Sequence, residues 1–70
     1  ARASVVADAD LPAGHVITES DIWARRPGSG AIAGYEFDRV LGKTLKVAVK
    51  RNRQLSWDDL EQTLGEGKNV

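Results

Sequence analysis

Cysteine is absent from the 70-residue sequence, and neither charge sign dominates, because ten Lys and Arg residues balance ten Asp and Glu residues. The lack of cysteine excludes the disulfide bonds that stabilise many small secreted domains, and it excludes thiolate metal sites. The balanced charge provides no strong field that would attract nucleic acid or a membrane surface. We therefore expect neither as a partner.

Long apolar runs are also lacking: none approaches the length that spans a membrane, and the N-terminus shows no hydrophobic region of a signal peptide. We expect a soluble, cytoplasmic domain. A chain of this length buries only roughly 60–65% of the surface that its unfolded form exposes, which allows one compact core but no deep enzyme cavity. We therefore expect a piece of a larger protein that is not catalytic as an isolated domain.

The apolar segments that are present are short and separated by turn residues. A strand is predicted around residues 5–6, a helix of about two turns over residues 35–42, ended by Gly42, and a half-buried strand over residues 43–50. In that last strand the apolar residues share one face: Leu45, Val47 and Val49. The polar, glycine-containing end predicts a domain over residues 1–62 and a flexible tail over residues 63–70.

One pattern occurs twice, 38 positions apart, in "LPAGHVITESDI" and "VKRNRQLSWDDL". Each copy has a turn, a hydroxyl residue suited to cap a short helix, and an aspartate three residues later. Gly14 aligns with Asn52, and these residue types best tolerate the left-handed region of backbone space. The further aligned pairs are Leu11 with Val49, Ile17 with Leu55, Thr18 with Ser56, Asp21 with Asp59, and Ile22 with Leu60. The repeat predicts two related halves about a pseudo-twofold axis, in a compact, mainly β fold with short helical turns.

The segment "RRPGSG" joins the two predicted halves. Arg26 carries a permanently charged, planar guanidinium that suits a carbonyl oxygen or a carboxylate. Pro27 fixes its own φ and favours an extended backbone at Arg26. Gly28 and Gly30 allow the loop to fold back closely, which we expect to leave room for a ligand or a second protein surface. From these features alone, Arg25 and Arg26 both suit solvated surface positions beside a turn, which is the ordinary place for an arginine.

Other candidate sites have simpler explanations. The run of residues 28–30 is too short for a dinucleotide fingerprint and lacks the lysine of a P-loop. His15 has no second ligand at metal-binding spacing and is predicted to be a surface residue. The acidic pair at residues 58–59 suits the N-terminus of a helical turn, and the basic residues 50–53 suit a solvated turn. Trp57 is predicted to pack partly on the core.

Four blocks in order give the chain a family resemblance: the turn ending at Gly14, the cap over residues 18–21, Arg-Pro-Gly-x-Gly at residues 26–30, and Leu-Gly-Lys at residues 41–43 with a final Leu-Ser-Trp-Asp. From Arg2 to about Glu61 the sequence resembles the C-terminal antifreeze-like (SAF) domain of bacterial sialic acid synthases. Type III antifreeze proteins share that fold. The resemblance implies a β-clip architecture.

The resemblance also implies a function. In that family a (β/α)8 barrel condenses phosphoenolpyruvate with N-acetylmannosamine or a related amino sugar, using a divalent metal, Mn or Mg. The antifreeze-like domain, which has no cofactor, covers the barrel of the partner subunit in a homodimer. There it supplies an arginine to the sugar N-acetyl group, and Arg26 matches that position. The product is left open among sialic, legionaminic and pseudaminic acids.

Two alternatives remain at this point. The first is a stand-alone type III antifreeze-like protein that binds ice or another surface, although Asp10, Glu19 and Asp21 place strongly hydrated charges on or near the aligned surface. The second is an SAF module of a pilus or flagellar assembly chaperone. The Arg-Pro-Gly-x-Gly block argues against the second.

Overall fold

The computed structural model of the chain describes residues 2–61, so the predicted tail over residues 63–70 lies outside the described residues. Within residues 2–61, two antiparallel strands, one short α-helix and three 3-10 turns make up the regular structure. In chain order they are β1 (Ser4–Ala7), the first 3-10 turn (Glu19–Asp21), β2 (Ile22–Arg25), the second 3-10 turn (Gly34–Glu36), α1 (Phe37–Val40) and the third 3-10 turn (Trp57–Asp59). The mainly β architecture with short helical turns matches the predicted fold class.

Strand β1 runs through the centre of the molecule. All four of its residues are buried, and it pairs with β2 in a register that sets Val5 opposite Ala24. On its other edge, the Leu55 amide donates to the Val5 carbonyl at 3.0 Å. The strand predicted around residues 5–6 is therefore confirmed, and it is enclosed because both edges are paired.

The two predicted halves are related by a repeated hydrogen-bond pattern. At its centre Leu11 and Val49 exchange both backbone bonds, each at 2.9 Å. The Gly14 amide donates to the Leu45 carbonyl at 2.8 Å, and the equivalent Asn52 amide donates to the Ala7 carbonyl at 2.7 Å. Both turn residues have positive φ, +89° at Gly14 and +74° at Asn52, as the alignment of the halves predicts. The internal pseudo-twofold is thus a property of the backbone.

Each half begins its 3-10 turn in the same way. The Thr18 amide donates to the Asp21 carboxylate at 2.7 Å, and the Ser56 amide donates to the Asp59 carboxylate at 3.0 Å. The side chain three residues into the turn therefore satisfies an amide that would otherwise lack a partner. Strand β2 begins at Ile22, directly after the first capped turn, and Leu60, which bridges to Leu45, directly follows the second.

The core lies between the halves. It consists of twelve buried apolar residues: Val5, Val6, Ala7, Leu11, Ile17, Ile22, Ile32, Val40, Leu45, Val49, Leu55 and Leu60. Trp57 is partly buried against this cluster, as predicted, and the Arg39 guanidinium lies over its ring at 5.4 Å from the ring centroid.

The helix prediction is confirmed in position and the second strand prediction is wrong. The second 3-10 turn leads directly into α1, and the chain reverses at Gly42, which has a φ of +83°. Residues 43–50 do not form one strand, because Leu45 bridges to Leu60 whereas Val49 bridges to Leu11. The chain bends between these two partners and leaves Val47 exposed at 41%.

Candidate functional site

Arg26 directly follows β2, at the start of the crossover between the halves. Its side chain is exposed, and it makes no hydrogen bond or ion pair with any other residue in the described range 2–61. A permanently charged guanidinium in this position keeps its donors available for an external acceptor.

Arg25 is held differently. Its Nη2 donates to Asp8 Oδ1 at 2.9 Å in an ion pair, although 45% of the side chain remains exposed. Arg25 is thus exposed, as expected, and it is also paired with a carboxylate of the same chain. The adjacent arginines differ because, among residues 2–61, only Arg25 reaches a carboxylate.

Two side chains from different halves hold the loop after Arg26. Ser4, which is fully buried, donates from Oγ to the Pro27 carbonyl at 3.1 Å and accepts the Gly30 amide at 2.8 Å. Gln54 Nε2 donates to the same Pro27 carbonyl and to Ser29 Oγ, both at 3.2 Å. The Arg26–Pro27 peptide bond is cis, a geometry that the sequence pattern does not predict. Sequence reasoning also missed Ser4 and Gln54, because no local pattern indicates that their side chains contact this loop.

Close packing within the domain requires a glycine at position 28 and leaves little space at Gly30. A Cβ atom at Gly28 would lie 2.3 Å from Arg2 Cβ, and one at Gly30 would lie 3.0 Å from Ser4 Cβ. The space beside both glycines is thus taken by the chain's own N-terminal segment. Arg26 presents its side chain from a loop packed on the protein. Space remains on one side of this loop, where Gly28 and Tyr35 help to line a shallow groove.

Aromatic side chains lie near this loop on an exposed surface. Trp23 is 57% exposed and meets Phe37 edge to face, with ring centroids 6.3 Å apart. Tyr35, 89% exposed, borders a shallow apolar groove that Ala24 and Gly34 also line. Rings of this kind lose little side-chain entropy when they contact a partner.

Each half also contains one pair between a basic side chain and an aspartate. His15 Nε2 lies 2.7 Å from Asp21 Oδ2, and at the equivalent positions Arg53 Nη2 donates to Asp59 Oδ1 at 2.8 Å. His15 is therefore not an isolated surface residue, because it is half-buried against its partner. Both pairs join a turn to the 3-10 turn that follows it, which is a structural role.

Asp21 accepts three hydrogen bonds at one carboxylate oxygen, from the His15 ring, from the Thr18 amide and from the Thr18 hydroxyl. Burial by itself would raise the pKa of Asp21. The bonds from His15 and Thr18 outweigh burial, so that the pKa is lowered below its ordinary value.

The part of the chain that the structure describes contains neither a metal-binding cluster nor a membrane-spanning helix. No cluster of three or more His, Cys, Asp or Glu side chains that could hold a metal ion occurs within residues 2–61. In the same range, no helix combines the length and the apolar character needed to cross a membrane.

Comparison with known proteins supports the fold. No curated protein matches the chain. Among protein families, the SAF domain matches residues 2–61, which is nearly the whole chain. The match covers both halves, the crossover loop and every element described above, and it confirms the antifreeze-like fold inferred from the sequence blocks. The chain is therefore a member of the SAF domain family.

Proposed function

We propose that this SAF domain is the antifreeze-like part of a sialic acid synthase-type enzyme, and that Arg26 binds the N-acetyl group of its amino-sugar substrate. One observation carries the proposal: Arg26 is exposed and unpaired among residues 2–61, while the loop behind it is fastened to both halves.

The contrast with Arg25 supports the assignment of the role to Arg26. An external acceptor that binds Arg25 competes with the Asp8 carboxylate, whereas Arg26 has no ion pair with residues 2–61 that binding would break. A fixed loop also lowers the entropy that is lost when the complex forms. The adjacent arginine is therefore the weaker candidate, although both are exposed.

In this proposal the domain acts as a lid in a cytoplasmic homodimer, and it covers the mouth of the (β/α)8 barrel of the partner subunit. The barrel supplies the phosphoenolpyruvate site, the divalent metal, Mn or Mg, and the acid–base groups of the condensation. The SAF domain supplies one positive charge and excludes water from the sugar. It is not catalytic by itself.

The test is Arg26→Ala in the full-length enzyme. Loss of a charged hydrogen bond weakens binding by about 1.5–3 kcal/mol, so the KM for the amino sugar is expected to rise by about tenfold or more. The KM for phosphoenolpyruvate is expected to stay within about twofold of its original value, because that substrate lies in the barrel.

Arg51→Ala is the matched control, since Arg51 is an exposed arginine on the turn over residues 50–53. It is expected to leave both constants unchanged. An equal rise in both constants for Arg26→Ala would remove Arg26 from the sugar site.

A further inference from the structure

We propose that Ser4 and Gln54 are positioning residues that set the direction of Arg26 by fixing the loop over residues 27–30. The loop contacts carry this inference by themselves. Its consequence for sugar binding rests on the proposed function.

Ser4 uses both hydrogen-bonding capacities of its hydroxyl on the loop. The oxygen donates to the Pro27 carbonyl at 3.1 Å and accepts the Gly30 amide at 2.8 Å, so it bridges the two ends of the turn. The side chain is fully buried. Without the hydroxyl, the Gly30 amide would lose this acceptor, and a buried amide without an acceptor is costly.

Gln54 holds the same turn from the other half of the molecule. Its amide nitrogen donates to the Pro27 carbonyl and to Ser29 Oγ, at 3.2 Å each. The Pro27 carbonyl thus receives two donors, one from each half. Because Pro27 is bonded directly to Arg26, fixing this carbonyl limits the directions in which the Arg26 backbone can point.

The pseudo-twofold shows that the backbone does not require a glutamine here. Position 54 is equivalent to Val16, and both residues form the same kind of isolated bridge, Gln54 with Val6 and Val16 with Thr44. Val16 leaves its side chain 52% exposed. The same backbone frame therefore accepts a valine, and the side-chain amide of Gln54 is free to hold the loop over residues 27–30.

The first experiment tests the loop directly, in the 70-residue chain. Gln54→Val copies the residue of the other half, Gln54→Glu keeps the size but cannot donate to the Pro27 carbonyl, and Ser4→Ala removes the bridging hydroxyl. Amide chemical shifts and heteronuclear NOE values of residues 28–31 are expected to change in all three variants. Ser56→Ala, which removes the hydroxyl that accepts the Asp58 amide, is the matched control and is expected to leave these residues unchanged. If residues 28–31 keep their shifts and NOE values in both Gln54 variants, the positioning role is wrong.

The second experiment measures KM and kcat in the full-length enzyme. Gln54→Val is expected to raise the KM for the amino sugar by about three- to tenfold, the effect of one lost hydrogen bond, with kcat and the KM for phosphoenolpyruvate unchanged. If both KM values rise together, the role of Gln54 is general and the inference fails. If the loop moves in the spectra while the KM for the sugar stays constant, the positioning role stands and the proposed contact between Arg26 and the sugar is wrong.

Discussion

At the scale of single residues, neighbours of the same type have different roles because of contacts made far along the chain. Arg25 reaches Asp8, which is 17 positions away, whereas Arg26 has no such partner among residues 2–61. Gly28 similarly depends on Arg2, whose Cβ occupies the space that a side chain would need. The local sequence shows an arginine pair and a glycine turn, and the distant residues determine what each of them does.

Gly28→Ala provides a test at this scale. Because the added Cβ would lie 2.3 Å from Arg2 Cβ, the free energy of unfolding is expected to fall by about 1–3 kcal/mol, the usual cost of overpacking. Urea unfolding followed by tryptophan fluorescence measures this loss.

Arg2→Gly removes the nearest of the clashing atoms and supplies the control. Part of the loss from Gly28→Ala is expected to disappear in the double variant, since the two positions are in contact. The same loss in both backgrounds would contradict the steric explanation.

At the scale of elements, features that depend on neighbouring residues were predicted from the sequence, whereas features that depend on distant pairing partners were not. The caps at Thr18 and Ser56 and the positive φ at Gly14 and Asn52 are local, and each could be inferred from a few neighbouring residues. The strand predicted over residues 43–50 was wrong for this reason. Apolar and polar residues do alternate there, but Leu45 pairs with Leu60 whereas Val49 pairs with Leu11.

The candidate site shows the same division between local and distant information. The Arg-Pro-Gly-x-Gly block indicates Arg26, because the block is contiguous in the sequence. Ser4 and Gln54 come from segments more than 20 positions away on either side of the loop, and no local pattern marks them. The cis bond before Pro27 also depends on the folded context, since proline permits either isomer.

Asp21→Asn tests the first cap through its dependence on pH. At neutral pH the variant is expected to lower the free energy of unfolding by about 1–2 kcal/mol, because the charged acceptor of three hydrogen bonds is lost. The pKa of Asp21 is lowered in the folded chain. Its stabilisation is therefore present above the unfolded value of about 3.9 and is lost as the pH falls through the folded value. The difference between variant and wild type is thus expected to shrink toward about pH 2.

Chemical unfolding of both proteins from neutral to acidic pH measures this difference. Asp58→Asn, an exposed aspartate on the third 3-10 turn, is the control and is expected to change stability by less than about 0.5 kcal/mol. If the free energy of unfolding of Asp21→Asn differs from that of the wild type by the same amount at every pH, the carboxylate charge is not what stabilises the cap.

At the scale of the whole molecule, the ice-binding alternative concerns turn and cap residues that do not include the loop over residues 27–30. The residues aligned with an ice-binding plane include Asp10, which is exposed and accepts the Arg51 amide, and exposed Glu19 lies near that plane. Asp21 in the same region is engaged by His15. Hydrated charges of this kind oppose close contact with an ordered ice lattice.

The purified chain is therefore expected to show no thermal hysteresis beyond that of its buffer. A nanolitre osmometer with observation of crystal shape makes this measurement, and heat-denatured chain serves as a second reference. A clear hysteresis gap with faceted crystals would favour the stand-alone ice-binding alternative over the lid.

Residues 26–36 lie between the two copies of the repeat, residues 11–22 and 49–60, and belong to neither copy. A substitution in either half disturbs a pattern that the other half shares, but a substitution in this span breaks no internal match. Arg26, the loop glycines and Tyr35 all lie there. Changes within this span can therefore alter the surface that the domain presents around Arg26 while the paired turns and caps stay as they are.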